Sequence, residues 1–326
     1  MARIPAAVAA VRTAVRRALA EPAGLPGLPP DGLVLVACSG GADSLALASA
    51  ARFVRPGATG LVTVDHGLQE GSAARASSVA AWARDAGFAP VEIAAVVVAG
   101  RPGGPEAAAR TARYEALSTV AARVGAVAVL LGHTRDDQAE TVLLAMARGA
   151  GPRGIAGMPA RKGIFLRPLL DVARSDTRKA CAAQGLVPWD DPHNVDPAFA
   201  RSRVRGAALP ALVEALGPAV VGNLARTAAQ IAADNTALDS LAREALLSAY
   251  ESGGLRISIL SGMVSAVRTR VLHAWARELG APGSALSHRH VEALDALITD
   301  WRGQGPVHLP GAIRVARVDG RLVRVP

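Results

Sequence analysis

The feature that most constrains this chain is an alternation that runs through its first two-thirds. Short runs apolar at every position are each followed by an alanine-rich stretch with helical periodicity. Residues 33–37, 61–64, 91–98 and 126–131 read as strands. Helices follow from about 44 and near 73–86, 106–123 and 135–147. A strand with no polar alternate is buried on both faces, so this pattern predicts an α/β fold, a parallel sheet with helices on both faces. Such sheets place their chemistry beyond the carboxyl ends of the strands. The residues standing there are 39–44, Asp65 with His66, and 133–137.

From Gly149 to Asp196 the pattern loosens into Gly/Pro-rich segments, and from about Gly217 long helical periodicity takes over through 220–250 and 263–279. The last stretch, VHLPGAIRVARVDGRLVRV, alternates apolar and polar residues around a Val-Asp-Gly turn and predicts a terminal β-hairpin. The expected domains are therefore 1–216, catalytic, and 217–326, small and mainly helical with the hairpin at its end. The first 20 residues are rich in Arg and lack acids, yet Arg12 breaks their apolar run within one amphipathic pattern. They predict a packed helix rather than a targeting peptide.

Composition narrows the function. Two cysteines, Cys38 and Cys181, cannot supply a disulfide framework, a four-cysteine zinc site or a protein-ligated iron–sulfur cluster. No apolar run approaches the roughly 18 residues of a membrane span, so a cytoplasmic protein with no membrane partner is expected. Net charge is +9, with two lysines among 36 basic residues, which mildly favours a nucleic-acid partner.

Cys38-Ser39-Gly40-Gly41-Ala42-Asp43-Ser44 joins the first strand to its helix. Two glycines and two serines there free backbone N–H groups at the positive end of a helix dipole, a nest for phosphate oxygens. The chain contains no G-x-x-x-x-G-K-[ST], which excludes a P-loop NTPase. Gly149-Ala150-Gly151-Pro152-Arg153-Gly154 matches G-x-G-x-x-G but follows a helix, so it is not a dinucleotide fingerprint. At the end of the fourth strand stands Gly132-His133-Thr134-Arg135-Asp136-Asp137-Gln138-Ala139-Glu140-Thr141. Thr134 and Asp137 have capping-box spacing, and helical spacing sets Asp137 beside Glu140. Three acids and an imidazole exceed what capping needs. Arg110 and Arg113 lie one helical turn apart, and Arg201, Arg203 and Arg205 alternate near the domain boundary.

SGGADS resembles the pyrophosphate-binding loop of the N-type ATP pyrophosphatases, or PP-loop enzymes, which cleave ATP between the α and β phosphates to adenylate an oxygen. GHTRDDQAET and AARTARYEAL narrow the resemblance to the tRNA(Ile)-lysidine synthetases. VDHGL, RGAGPRGIAGM, RPLL and WDDPHNVDPAFARSRVR follow in the same order, covering about residues 30–210. His193 departs from the serine common in that family's D-P-S-N segment. The resemblance implies ATP and Mg2+ as cofactors, and isoleucine tRNA with a CAU anticodon and L-lysine as partners. Its reaction adenylates the O2/C2 position of the wobble cytidine and attaches lysine through its side-chain amine, changing decoding from AUG to AUA. It implies a short form without the last C-terminal domain of the longest members. Oligomeric state is left open, a homodimer among the options.

The residue roles expected on this basis are as follows. Ser39, Gly40, Gly41, Asp43, Ser44, Asp65 and His66 bind ATP, with Asp43 at the Mg2+. Arg113 neutralises charge developing on the adenylate, and His133 and Asp136 contact nucleotide or metal. Asp137 and Glu140 hold lysine, and Arg110, Arg201, Arg203 and Arg205 meet tRNA. Because carboxylates raise the pKa of an ammonium they bind, one acid or His133 must also accept a proton. Three rivals rest on the SGGADS loop alone: a tRNA thiolase, disfavoured by the cysteine count; a small-molecule amidoligase, which would release AMP without RNA; and a non-catalytic ATP/RNA binder.

Overall fold

The structure is a computed structural model that describes residues 4–20, 27–67, 71–97, 105–191, 196–283 and 285–326, the side chains of 105 and 106 excepted. Leu68 and residues 192–195 of the motifs above, His193 among them, and position 98 of the third expected strand lie outside the described residues. The chain divides into two compact units, 1–230 and 231–326. The expected boundary at 216/217 coincides with the end of a helix at Gly217, whereas the units divide inside the helix that follows.

In the first unit β1 (Val34–Ala37), β2 (Thr59–Asp65), β3 (Val91–Ala95) and β4 (Ala128–Leu131) form a parallel sheet in the order β3-β2-β1-β4. β5 (Arg161–Lys162) and β6 (Phe165–Leu166) extend it. β6 is parallel to β4, and β5 is an antiparallel edge strand. The helices are α1 (Ala6–Ala20), α2 (Ala42–Val54), α3 (Ser72–Asp85), α4 (Pro105–Arg123), α5 (Arg135–Ala147), α6 (Pro152–Ile155) and α7 (Arg174–Ala182). After them come α8 (Ala200–Arg203), a π-helical turn (Val204–Ala208), α9 (Leu209–Leu216) and α10 (Ala219–Ala249).

Alternation within β1 shows why its run had to be apolar throughout. Val34 and Val36 pack with residues of α1, α2 and α7, while Leu35 packs on the other face with Leu117 and Val120 of α4. Leu35, Leu47, Leu61, Leu117 and Leu130 are fully buried, each contributing roughly 1.5–3 kcal/mol of transfer free energy. The N-terminal segment is a packed helix, with Val8, Val11, Val15 and Leu19 buried on one stripe. The chain leaves β1 first toward β2 and later toward β4, so a crevice opens between the carboxyl ends of β1 and β4. Their register (Ala37 opposite Leu131) sets residues 38–41 and 132–134 on its two sides.

The second unit is built around Trp275, which is fully buried among Leu246, Leu260, Leu272, Leu294 and Leu322. It contains β7 (Tyr250–Glu251), β8 (Gly254–Arg256), α11 (Ile257–Ser261), α12 (Ser265–Glu278), α13 (His288–Thr299), β9 (Val307–Leu309), β10 (Ile313–Val318) and β11 (Arg321–Val325). β10 and β11 are the expected hairpin. Asp319 and Gly320 both have positive φ, as a two-residue type I′ turn requires. The hairpin is the centre of a five-stranded antiparallel sheet, β7-β8-β11-β10-β9. Among the described residues no single helix is long and apolar enough to cross a membrane.

Candidate active site

A cavity of about 670 Å3 opens at the crevice, lined by the β1–α2 loop, the ends of β2 and β4, α4, α7 and Trp189–Asp191. One wall is the loop itself. Gly40 adopts φ +84°, a conformation costly for any residue with a Cβ. Its carbonyl accepts from the Trp189 N–H at 3.0 Å. Ser44 Oγ donates to the Gly41 carbonyl (2.9 Å) and accepts from the Ser39 N–H (3.2 Å), closing the loop on itself. α2 begins at Ala42, two residues earlier than expected, so Asp43 and Ser44 lie in its first turn. Its N-cap, Gly41, supplies no side-chain hydrogen bond. The first N–H groups of a 13-residue helix are thus left for an anion. Gly132 lets β4 come this close, because a Cβ there would meet the Asp43 backbone at 3.2 Å.

The start of α5 is arranged in the opposite way. Asp137 Oδ2 accepts from the Thr134 N–H (2.7 Å) and hydroxyl (2.8 Å), completing the expected capping box. Its Oδ1 faces Arg174 (2.9 Å), Arg205 (3.2 Å) and Arg201 (3.4 Å). Glu140, with a side chain 0% exposed, accepts from Arg174 (3.0 Å), Arg201 (2.8 Å) and Arg205 (2.8 and 3.1 Å). Two carboxylates thus lock three guanidiniums. Burial alone would push both carboxyls up, but the arginines, with the Thr134 N–H, bring Asp137 down to about 2, and Arg205 and Arg174 likewise lower Glu140.

Asp43 behaves differently. Burial raises its carboxyl to about 6, against a hydrogen bond from the Thr177 hydroxyl, and Asp137 adds to the rise. Arg174 stands 3.9 Å away. Burial and the charge of Arg113 push His133 down to about 3, so its imidazole is neutral, with a buried Nδ1 that has no hydrogen-bond partner. His66, lowered by burial and Arg113, also has an unpartnered Nδ1, and the Arg113 Nε is unpartnered too. Three buried polar atoms without partners at one cavity mark a place where a polar ligand belongs.

The structure brings Ser39, Gly41, Asp43, Ser44, His66, Arg110, Arg113, His133 and Asp137 to the cavity wall. The other expected residues stand differently. Glu140 does not line the cavity; it is enclosed behind the three arginines. Arg201 and Arg205 do line it, but turned inward onto Asp137 and Glu140. Arg203 is exposed and donates to the carbonyls of Pro197 and Ala198. Asp65 accepts from the Gly67 N–H in the turn after β2, away from the wall. Asp136 accepts from the Arg174 N–H at 2.8 Å, so it positions α7 rather than facing the cavity. Arg174, Arg178 and Thr177 went unnoticed in the sequence, and Trp189, which opens the WDDPHNVDPAFARSRVR segment, had no role attached to it. The only available signal was the position of Arg174 four residues after the RPLL segment.

Residues 12–212 match the PP-loop domain model, and residues 255–323 match the TilS substrate binding domain model. A U34-tRNA thiolase from Methanococcus maripaludis shares the fold, with a TM-score of 0.54 and 17% identity over 69% of this chain and 79% of that one. Fold and site together define a PP-loop, ATP-using enzyme. The tRNA(Ile)-lysidine synthase of Salinispora tropica is 64% identical over 100% of this chain and 98% of its own. That of Streptomyces coelicolor is 54% identical over 97% of each. The chain belongs to the tRNA(Ile)-lysidine synthase family.

Proposed function

We propose that this protein ligates L-lysine to C2 of the wobble cytidine of isoleucine tRNA with a CAU anticodon, in the cytoplasm, consuming ATP. The observation that carries this reading is the juxtaposition, in one cavity, of an uncapped helix N-terminus beside Asp43 with the carboxylate–arginine cluster at Asp137. The first suits a triphosphate. The second presents both signs of charge, as the zwitterionic head group of an amino acid requires. Its α-carboxylate meets Arg174, Arg201 and Arg205, and its α-ammonium meets Asp137, which leaves the side-chain amine free to react. Glu140 keeps the arginines in place.

In the first step O2 of the cytidine attacks the α-phosphorus and the bond to pyrophosphate breaks. The loop N–H groups and the Ser39 and Ser44 hydroxyls hold the departing pyrophosphate, and Arg113 balances charge on the adenylate. In the second step the lysine amine bonds to C2, the C2–O bond breaks, AMP leaves and the amine gives up a proton. His133 is neutral, and a neutral imidazole keeps one ring nitrogen able to accept that proton. Phosphates that neutralise Arg113 remove one cause of its low basicity.

Among the described residues no group of three or more His, Cys, Asp or Glu side chains could hold a metal. A Mg2+ bound through one carboxylate, phosphate oxygens and water needs none. Asp43, with its carboxylate at the open end of α2, fits that role, and the ion would supply charge neutralisation of the phosphates. Arg110, at the cavity rim, and the exposed Arg203 are the tRNA contacts this reading retains. With ATP and tRNA but no lysine, pyrophosphate release and an alkali-sensitive adenylated tRNA are expected. AMP release without RNA would instead favour an amidoligase.

A further inference from the structure

A second cavity, of about 260 Å3, lies between α1, the C-terminal end of α2 and the end of α3. Its composition is unusual for this chain, which has only ten aromatic side chains. Three of them, Phe53, Trp82 and Phe88, line it together with Arg12 and Arg52. Phe53 is 51% exposed, although it sits on a helix otherwise buried along one face. The Arg12 guanidinium lies 3.5 Å over the Phe53 ring, and Arg52 is 6.0 Å from the Phe88 ring. Trp82 and Phe88 are in tilted contact at 5.7 Å.

Among the described residues no carboxylate lines this cavity. The Arg12 Nε is buried and has no hydrogen-bond partner. Two cations without a facing acid, one with an unmet donor, call for an anionic acceptor. Half-exposed aromatic surface beside them calls for a flat partner. Phe53 follows Ser44 by nine residues on the same helix, which at a rise of about 1.5 Å per residue sets it roughly 13–14 Å along the axis from the phosphate loop. The cavity is therefore separate from the active site, yet within reach of one bound RNA.

We propose that this cavity is a second nucleotide site. It stacks one unpaired base against Phe53 and Trp82 and holds the adjoining phosphate with Arg12 and Arg52. The occupant is a nucleotide of the bound tRNA away from the wobble position, which rests on the tRNA reading above. A free nucleotide has the same chemistry and is separated from it by the experiment.

The test uses the full chain and the exposed variants Phe53→Ala and Arg52→Ala, with thermal melting to confirm that each is folded. Filter binding to isoleucine tRNA is expected to weaken about five- to tenfold in each. Lysine transfer at saturating tRNA and KM for ATP should stay unchanged, and ultraviolet crosslinking should join tRNA to the peptide carrying Phe53 or Trp82. Equilibrium dialysis with labelled ATP separates the sources. One site per chain in all proteins, with weakened tRNA binding, identifies an RNA nucleotide; two sites falling to one in Phe53→Ala identify a free one. Unchanged tRNA affinity with a single ATP site throughout overturns the proposal. Loss of lysine transfer in the unaltered protein, with tRNA binding still dependent on Phe53, would overturn the catalytic reading and leave this site standing.

Discussion

Replacing Glu140 by Gln removes one charge from a cluster in which two carboxylates face three guanidiniums, and the structure sets the size of the effect. The Glu140 carboxylate is fully enclosed and accepts four N–H bonds from Arg174, Arg201 and Arg205 at 2.8–3.1 Å. A glutamine keeps one acceptor oxygen and turns an NH2 toward cations. Breaking a buried charge pair on one side costs about 3–5 kcal/mol. The lower end applies, because Arg201 and Arg205 are 27% and 28% exposed and can partly resolvate. For a unit of this size ~3 kcal/mol lowers Tm by about 6–12 °C. Differential scanning calorimetry measures this, and hydrogen exchange of α5 peptides assigns the transition to the first unit. The sign with pH follows from the depressed carboxyl. The stabilisation it provides is complete above its unfolded pKa of ~4.3 and is lost as pH falls through the lower folded value. The Gln variant should therefore sit closest to the unaltered protein in acid. Asp171→Asn, at an exposed pair with Arg17, is the control and should change stability by less than about 1 kcal/mol. A Tm drop under 2 °C for Glu140→Gln at neutral pH would refute the view that this carboxylate holds the arginines in place.

Three further outcomes are expected. Because Asp43 takes its proton near pH 6, kcat/KM for ATP should fall as pH drops through about 6, and Asp43→Asn should abolish that limb and leave little activity. Gly132→Ala puts a methyl group 3.2 Å from the Asp43 backbone, which cannot yield without moving the loop. KM for ATP should rise about tenfold while tRNA affinity holds, a displacement effect of the kind that small shifts cause. Arg113→Ala, measured by single-turnover lysine transfer, should lower the rate about 10²–10³-fold with tRNA affinity little changed, as loss of a transition-state charge partner does.

How much of this was legible in the sequence depended on whether a residue's role is set locally. The β1–loop–α2 junction, the Thr134–Asp137 capping box and the Asp319-Gly320 hairpin turn are made by residues adjacent in the chain, and all were readable. Glu140 was placed beside Asp137 by helical spacing, but its enclosure comes from arginines 34, 61 and 65 residues away, which no local pattern reports. Arg201 and Arg205 are brought onto Glu140 across a π-helical turn, whereas the alternation of 201, 203 and 205 in the sequence assigned all three alike to tRNA. β5, β6 and β7 are two residues long, too short for any periodicity to register. They exist because neighbouring strands offer hydrogen-bond partners.

The most direct test of the function is transfer of radiolabelled lysine, with ATP and Mg2+, to an isoleucine tRNA transcript carrying a CAU anticodon, with methionine tRNA as control. Stable label in the isoleucine tRNA alone, surviving mild alkali that strips aminoacyl esters, is the predicted result. Absence of label, with or without AMP release, would contradict it.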